Sequence, residues 1–425
     1  MIAVDHPDAL MDVPVSIELR QFPPRQRINI TAVQEFPSGS RWLARAVFMS
    51  DNFGGVRVAQ QAPLEGTYDG VSAMGLVWSA ERLPGEVRTL SDGWIMQPSF
   101  VHLTAEGPDG ARAELRLRRR AVGAGVTRQL VRTDGLVGTL FLPPGEGPHP
   151  AVLVVGGGGG GIDEYRGAML ASRGFAALNL HYFGIEGLPR GLVNIPLEYF
   201  EKAIGWMRSQ GWLRDRLLAV WGESRGGELA LLLGATFSEI NAVAAWVPSG
   251  VIFWPLGALE PGDTRPPAAW TYRGRPLPYL QEANSEVDAP PKIEPGLEIS
   301  YAPIYMGHLQ DQRAVERAAI PVERTKGPIL LVSGTDDQMW PSSVLADIAM
   351  RRLEAHAHPF PFRHLKYEGA GHLVLLPYGP RTVRSLRIGG GLYSQGGTPK
   401  LDSEAGADAW QRLLEFLRSA IEARG

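Results

Sequence analysis

The sequence predicts an α/β protein in two parts, a β-sandwich followed by a mainly parallel sheet with helices on both faces. Over residues 13–122, short runs alternate apolar with polar residues, which is typical of half-buried strands. Beyond residue 124, continuous apolar runs alternate with amphipathic segments, which is typical of parallel strands joined by helices. We therefore expect two domains, at residues 1–124 and 125–425.

The first domain consists of strand-like runs separated by turn residues, with no long helical pattern among them. The runs with clear alternation are 15–20, 27–36, 41–50, 100–107 and 111–120. Turn-forming stretches such as PSGS and GPDGA lie between them. Short alternating strands joined in this way predict an immunoglobulin-like β-sandwich.

The second domain alternates buried strands with amphipathic helices. The strand-like runs are 151–155, 175–183, 217–221, 242–247, 327–334 and 362–369, and the helical ones are 164–174, 196–210, 227–237, 341–358 and 403–423. At about 252–324 the pattern gives way to a Pro- and Gly-rich insertion that contains several aromatic residues. Such an insertion predicts a cap over a pocket, with a disordered surface loop as the alternative.

Composition narrows the class of protein. The 425-residue chain is 44% hydrophobic and 20% charged, has a formal net charge of -3, and contains no cysteine. Thiolate chemistry, disulfides and cysteine-bound zinc are thereby excluded, and nothing in the charge favours nucleic acid or an acidic membrane. With no signal-like N-terminus and no window of 18 apolar residues, we expect a cytoplasmic protein with a small-molecule substrate and no cofactor or metal. The oligomeric state stays open.

A candidate nucleophile lies in the segment GESRG at 222–226. The pattern G-x-S-x-G is short, but here it stands between the strand 217–221 and the helix 227–237. That context predicts a nucleophile elbow, in which flanking glycines permit a strained turn and expose the Ser224 hydroxyl. The alternative is a glycine-rich helix start capped by serine.

A serine nucleophile needs a base, and nine histidines compete for that role. In the α/β-hydrolase fold the triad follows in the order Ser, acid, His. His372 has the right order and stands in a Gly-flanked loop after the strand 362–369. His181 and His308 are placed where they could face a pocket, but they do not follow that order.

For the acid, two neighbouring aspartates follow the strand 327–334. The spacing G-x-x-D-x-x-x-P from Gly334 to Pro341 favours Asp337 as the triad acid. Asp336 is the alternative, since either carboxylate is suited to cap the next helix.

Six consecutive glycines at 156–161 follow the first strand of the second domain. A phosphate cradle is one interpretation, but no Lys-Ser/Thr pair follows and the acidic pair 163–164 opposes an anion. An oxyanion hole is the other interpretation. We expect its donors to be the amides of Gly158, with Gly157 turning the chain, and of Arg225.

Several segments together resemble one known family. They are GESRGGELAL, GGGIDEYRGAMLASRGFAALNLHYFGIEGLPR, LEYFEKAIGWM, IPVER, SGTDDQMWPS, EGAGH and, in the first domain, APLEGTYDGVSAMGLVWS. They resemble the acyl-CoA thioesterase and bile-acid-CoA:amino-acid N-acyltransferase family. The resemblance implies an N-terminal β-sandwich with an α/β-hydrolase domain, and a triad of Ser224, Asp337 and His372.

The resemblance also implies a reaction. In this family the conjugating acyltransferases tend to use cysteine and the hydrolytic members serine, so Ser224 implies hydrolysis of an acyl thioester. The alternatives are a carboxylesterase or lactone hydrolase, an acyltransferase to an amine, and a non-catalytic interaction protein. A nucleotide-binding protein would depend on the glycine run alone.

Overall fold

The computed structural model describes residues 1–90, 92–161, 163–213, 217–260, 262–281, 296–374, 376–388 and 391–423. Contacts within the chain define two units. The first comprises Met1–Gly123, Leu375–Arg384 and Thr398–Asp408, and the second comprises Ala124–Val374, Ser385–Gly397 and Ala409–Gly425. The division into domains 1–124 and 125–425 stays a prediction; the contacts group two later segments with the first unit.

The first ten strands of the chain and its first helix lie in the first unit. The strands are β1 (Ile2–Val4), β2 (Asp8–Leu10), β3 (Ile17–Leu19), β4 (Arg27–Glu35), β5 (Arg41–Met49), β6 (Val56–Arg57), β7 (Glu65–Gly66), β8 (Glu81–Arg82), β9 (Ser99–Glu106) and β10 (Arg112–Arg120), and the helix is α1 (Gly75–Trp78). One sheet has the order β1-β3-β6, and the other β2-β10-β9-β4-β5-β7 with β8 on β5.

Alternation along the strands of this unit builds its core. In β4, Ile28, Ile30 and Ala32 are fully buried while the residues between them are more exposed. They share one hydrophobic core with Leu19 and Val56 of the three-stranded sheet. Because the side chains of a strand alternate between its faces, each sheet has one apolar face, and the predicted β-sandwich is confirmed.

The strands that follow in the chain belong to the second unit. They are β11 (Thr127–Thr133), β12 (Leu136–Leu142), β13 (Ala151–Val155), β14 (Ala176–His181), β15 (Ile195–Pro196), β16 (Leu218–Glu223), β17 (Ala242–Trp246), β18 (Trp270–Tyr272), β19 (Arg275–Pro276), β20 (Glu298–Ile299), β21 (Ile329–Gly334), β22 (Phe362–Tyr367), β23 (Ser385–Ile388) and β24 (Gly391–Ser394). The large sheet has the order β11-β12-β14-β13-β16-β17-β21-β22.

The helices that follow in the chain are α2 (Tyr165–Ala171), α3 (Leu197–Ser209), α4 (Arg225–Thr236), α5 (Ala302–His308), α6 (Gln312–Ala318), α7 (Ser342–Ala355) and α8 (Pro399–Glu422). In α3 the buried residues recur at helical spacing, at Leu197, Phe200, Ile204 and Met207, which gives the helix one apolar face. Among the described residues, no helix is long and apolar enough to cross a membrane.

The large sheet positions the site. From β14 to β22 its neighbouring strands are parallel, and β12 is antiparallel to both of its neighbours. Strands β13, β17 and β21 are buried at every residue, because both faces of the sheet are covered. The predicted α/β-hydrolase sheet is confirmed. The loops after β13, β16, β21 and β22 therefore emerge at one edge, where ligands bind in such sheets.

The predicted cap at 252–324 falls partly on residues 261 and 282–295, which lie outside the described residues. Its described part contains β18, β19, β20, α5 and α6. Aromatic rings from it pack closely: Phe253 and Tyr305 at 4.7 Å, and Trp254 stacked on Tyr305 at 4.9 Å. Such ring pairs add stabilisation beyond their buried area, and this part of the insertion shares one hydrophobic core with Trp340 and with Leu345 of α7.

Two neighbouring residues of α7 give a matched test of that core. Leu345 is fully buried and Val344 is 38% exposed. We expect Leu345→Ala to lower the free energy of unfolding by about 2–5 kcal/mol, because it leaves a cavity. Val344→Ala should change it by less than about 1 kcal/mol. Urea unfolding followed by tryptophan fluorescence measures both, and equal losses would contradict this packing.

Candidate active site

Ser224 occupies a sharp turn between β16 and α4. Its backbone has φ 54° and ψ −123°, which a residue with a side chain adopts only under strain. The Ser224 amide donates to the Trp246 carbonyl at 2.9 Å, and the amide of Glu228 donates to the Ser224 carbonyl at 3.0 Å. The turn is therefore held from both sides, which is the geometry of a nucleophile elbow.

The glycines around Ser224 are there because strand and helix approach too closely for a side chain. A Cβ at Gly222 would lie 1.9 Å from the carbonyl oxygen of Gly226. A Cβ at Gly226 would lie 2.3 Å from the carbonyl oxygen of Gly156. The pattern G-x-S-x-G is thus a packing requirement of the turn, and it brings the elbow against the start of the glycine run.

His372 and Asp337 form a hydrogen-bonded pair. Nδ1 of His372 lies 2.8 Å from Oδ2 of Asp337, whose side chain is 1% exposed. The other carboxylate oxygen accepts from the amides of Met339 and Trp340, at 3.0 and 3.2 Å. A neutral imidazole that donates from Nδ1 carries its basic lone pair on Nε2, the tautomer a general base needs.

The glycine run lies beside the elbow. A Cβ at Gly157 would be 3.4 Å from Cβ of Ser224, and a Cβ at Gly158 would be 3.2 Å from Cγ of Arg225. The structure thus brings together Ser224, Arg225 and the two glycines that the sequence singled out. Their role as an oxyanion hole stays a prediction.

Two family models match the chain. The one described as "BAAT / Acyl-CoA thioester hydrolase C terminal" matches residues 195–423, and "Acyl-CoA thioester hydrolase/BAAT N-terminal region" matches residues 12–133. The first alone spans more than half of the chain. The protein belongs to the acyl-CoA thioester hydrolase/BAAT family. Together with the hydrolase fold, this membership makes it an enzyme, as predicted.

Curated members of the family match over nearly the whole chain. Acyl-coenzyme A thioesterase 1 of Homo sapiens is 31% identical over 417 residues, covering 96% of this chain and 94% of its own. Acyl-coenzyme A thioesterase 1 of Rattus norvegicus is 30% identical, with the same two coverages. Peroxisomal succinyl-coenzyme A thioesterase of Mus musculus is 31% identical, covering 95% and 93%.

In this family member, the residues considered as alternatives to Asp337 and His372 make other contacts. Asp336 accepts from Nε2 of Gln338 at 2.7 Å and from the Gly397 amide at 2.9 Å. His181 is buried at the end of β14, where desolvation lowers its pKa. His308 lies on α5 with its ring 5.0 Å from that of Trp254. Of the two aspartates, it is Asp337 that the structure pairs with His372.

Sequence reasoning missed a buried carboxylate behind the elbow. Glu228, one turn into α4, is fully buried; its Oε1 accepts from Nε1 of Trp270 at 2.8 Å and lies 3.2 Å from Nη2 of Arg225. Its Oε2 accepts from the amide of Phe253 at 3.2 Å, and burial raises the pKa of this carboxyl. The signal was a lone glutamate in the apolar segment GELALLLG. The Glu228 carboxylate therefore links helix α4 to the cap through Trp270 and Phe253.

The described side chains offer no metal site. Among residues 1–90, 92–161, 163–213, 217–260, 262–281, 296–374, 376–388 and 391–423, no group of three or more His, Asp or Glu side chains is placed to hold a metal ion.

The two aspartates give a matched pair of variants. Asp337→Asn should lower kcat for acyl-CoA hydrolysis by about 10³- to 10⁴-fold, because an amide neither fixes the His372 tautomer nor stabilises its charged form. Asp336→Asn should cost less than about 10-fold, since that carboxylate contacts Gln338 and Gly397. Steady-state release of free thiol measures both, and a larger loss in the Asp336 variant would reverse the assignment.

Proposed function

We propose that this enzyme hydrolyses acyl-CoA thioesters through a triad of Ser224, His372 and Asp337. The observation that carries the proposal is the strained Ser224 turn, at the same sheet edge as the hydrogen-bonded His372–Asp337 pair. Membership of the acyl-CoA thioester hydrolase/BAAT family supports the thioester substrate. Relatives named acyl-coenzyme A thioesterases support CoA as the leaving group.

In the first half of the reaction, Oγ of Ser224 attacks the thioester carbonyl carbon while Nε2 of His372 takes the hydroxyl proton. The C–S bond then breaks, His372 returns the proton to the departing sulfur, and CoA leaves as the thiol. Asp337 holds the imidazole and stabilises its charged form throughout. The product is a Ser224 ester of the acyl group.

In the second half, water replaces CoA. His372 removes a proton from the water as its oxygen attacks the ester carbonyl, and the proton passes to Oγ of Ser224 as the acid leaves. Each half develops a negative oxygen that two backbone N–H groups would stabilise. We assign these donors to Gly158 and Arg225, because the glycine run lies against the elbow.

Hydrolysis is favoured over transfer to an amine by the serine itself. In the family to which this protein belongs, acyltransferases tend to carry cysteine at this position. An oxygen ester would be cleaved by the same triad. The two substrate classes differ in the leaving group, which is a thiol for a thioester and an alcohol for an oxygen ester. The cytoplasmic location expected from the sequence stays a prediction.

Removing the nucleophile tests the proposal. Ser224→Ala should lower acyl-CoA hydrolysis by at least about 10⁴-fold, because no acyl-enzyme forms. Ser209→Ala is the control, an exposed serine at the end of α3 whose hydroxyl donates to the Trp206 carbonyl. The assay compares acyl-CoAs with p-nitrophenyl esters and includes glycine to detect N-acyl products. Wild-type rates in Ser224→Ala would refute the mechanism.

The proposed role of the Gly158 amide as an oxyanion-hole donor can be tested by substitution. Gly158→Pro removes the N–H and should slow acylation by about 10²-fold or more. Gly158→Ala keeps it, and its Cβ would meet Cδ1 of Leu256 at 2.8 Å, the end of a side chain that can move. Single-turnover kinetics separate acylation from binding. Equal rates for the two variants would remove Gly158 from the proposed hole.

A further inference from the structure

One side chain outside the proposed triad reaches the backbone of the glycine run. The hydroxyl of Tyr182, in the residue after β14, donates to the carbonyl oxygen of Gly156 at 2.6 Å. Tyr182 is only 3% exposed, and burial raises the pKa of its hydroxyl far above the usual value. The group therefore keeps its proton at any working pH and acts as a fixed donor.

The tyrosine ring cannot readily move away from this position. It packs against the rings of Phe183, Phe200 and Trp270, at centroid distances of 5.1, 5.3 and 5.8 Å. All four side chains belong to the buried core of the second unit. Because packed interiors resist displacement, the hydroxyl gives the Gly156 carbonyl a defined direction.

The next residue contacts the other end of the run. A Cβ at Gly160 would lie 2.9 Å from the ring of Phe183, so the ring packs directly against that backbone. Gly160 also has φ +60°, which favours glycine. Tyr182 and Phe183 thus hold the run at Gly156 and Gly160, on either side of the Gly158 amide.

A buried guanidinium links the start of the run to the elbow. Nη1 of Arg166 lies 3.5 Å from the carbonyl of Val155 and 3.5 Å from Oε2 of Glu223, the residue before Ser224. Its Nε donates to Asp163 at 3.1 Å. Buried side chains therefore link the end of β13, the start of the run and the residue before Ser224 to one another.

We propose that Tyr182 is a positioning residue for the oxyanion hole, directing the Gly158 amide toward the oxygen that becomes charged. The inference rests on the proposed function. Since Tyr182 acts on the transition state through the backbone, its loss lowers kcat and leaves the binding of the ground state unchanged. Misplacing a donor by a fraction of an ångström to 1 Å costs about 10- to 100-fold in rate.

The test compares Tyr182→Phe with Tyr199→Phe. Tyr199 is the matched control: its hydroxyl donates to the His181 carbonyl at 2.6 Å, at the end of the same strand, and accepts from the Val137 amide at 3.1 Å. We expect Tyr182→Phe to lower kcat by about 10- to 100-fold with KM unchanged, and Tyr199→Phe to retain kcat within about 3-fold. An S-alkyl CoA thioether, which forms no oxyanion, should bind both variants as it binds the wild type.

The rate of labelling by a fluorophosphonate separates this inference from the proposed function. No labelling of wild-type Ser224 refutes the proposed nucleophile. Labelling that is slowed about 10-fold or more in Tyr182→Phe alone supports the positioning role. Wild-type labelling in Tyr182→Phe, or equal slowing in both variants, overturns it.

A second variant tests the inference if Tyr182→Phe does not fold. Phe183→Leu keeps most of the volume but removes the ring that packs at Gly160, and should slow labelling in the same direction by a smaller factor. Circular dichroism confirms folding of each variant. An unchanged labelling rate in a folded Phe183→Leu protein overturns the inference by this route.

Discussion

The backbone contact between β16 and α4 at Ser224 is the constraint on which the rest of the site depends. Neither Gly222 nor Gly226 has room for a Cβ, so strand, helix and the start of the glycine run meet backbone to backbone. This closeness forces Ser224 into its strained conformation. The same closeness brings Gly157 and Gly158 of the glycine run against Ser224 and Arg225. A looser turn would relieve the strain and separate the groups that the proposed reaction brings together.

Buried charge is the second physical feature of the site. Around the elbow, Arg225 pairs with Glu228 and Arg166 pairs with Glu223, and all but Glu223 are nearly or fully buried. Burying ions costs desolvation free energy, and breaking one partner of such a pair costs more than the pair contributes to stability. The pairs therefore act mainly by fixing geometry. Glu164, whose negative charge disfavours a phosphate bound at the glycine run, also forms such a pair: its carboxylate accepts from Nη2 of Arg128 at 2.7 Å.

The sequence predicted the parts of this protein that have local signals. The apolar strands, the Ser224 turn and the position of His372 follow from periodicity, from glycine sterics and from chain order. Strands β11 and β12 were missed, because their alternation is weak beside the apolar runs that follow. The choice between Asp336 and Asp337 rested on spacing, and only the structure shows which carboxylate contacts the imidazole. The contact of Tyr182 could not be predicted from the sequence, because its hydroxyl donates to the carbonyl of a residue 26 positions away.

Trp340 joins the proposed catalytic pair to the cap. Its backbone amide donates to Asp337, and its indole Nε1 donates to the Val247 carbonyl at 3.0 Å. Its ring lies 5.9 Å from Phe253 and 6.4 Å from the imidazole of His372. A residue held at this many points cannot shift without moving the Asp337 carboxylate. The aromatic cluster of the cap and the His372–Asp337 pair are therefore linked through Trp340, so the imidazole of the proposed base is oriented before any substrate arrives.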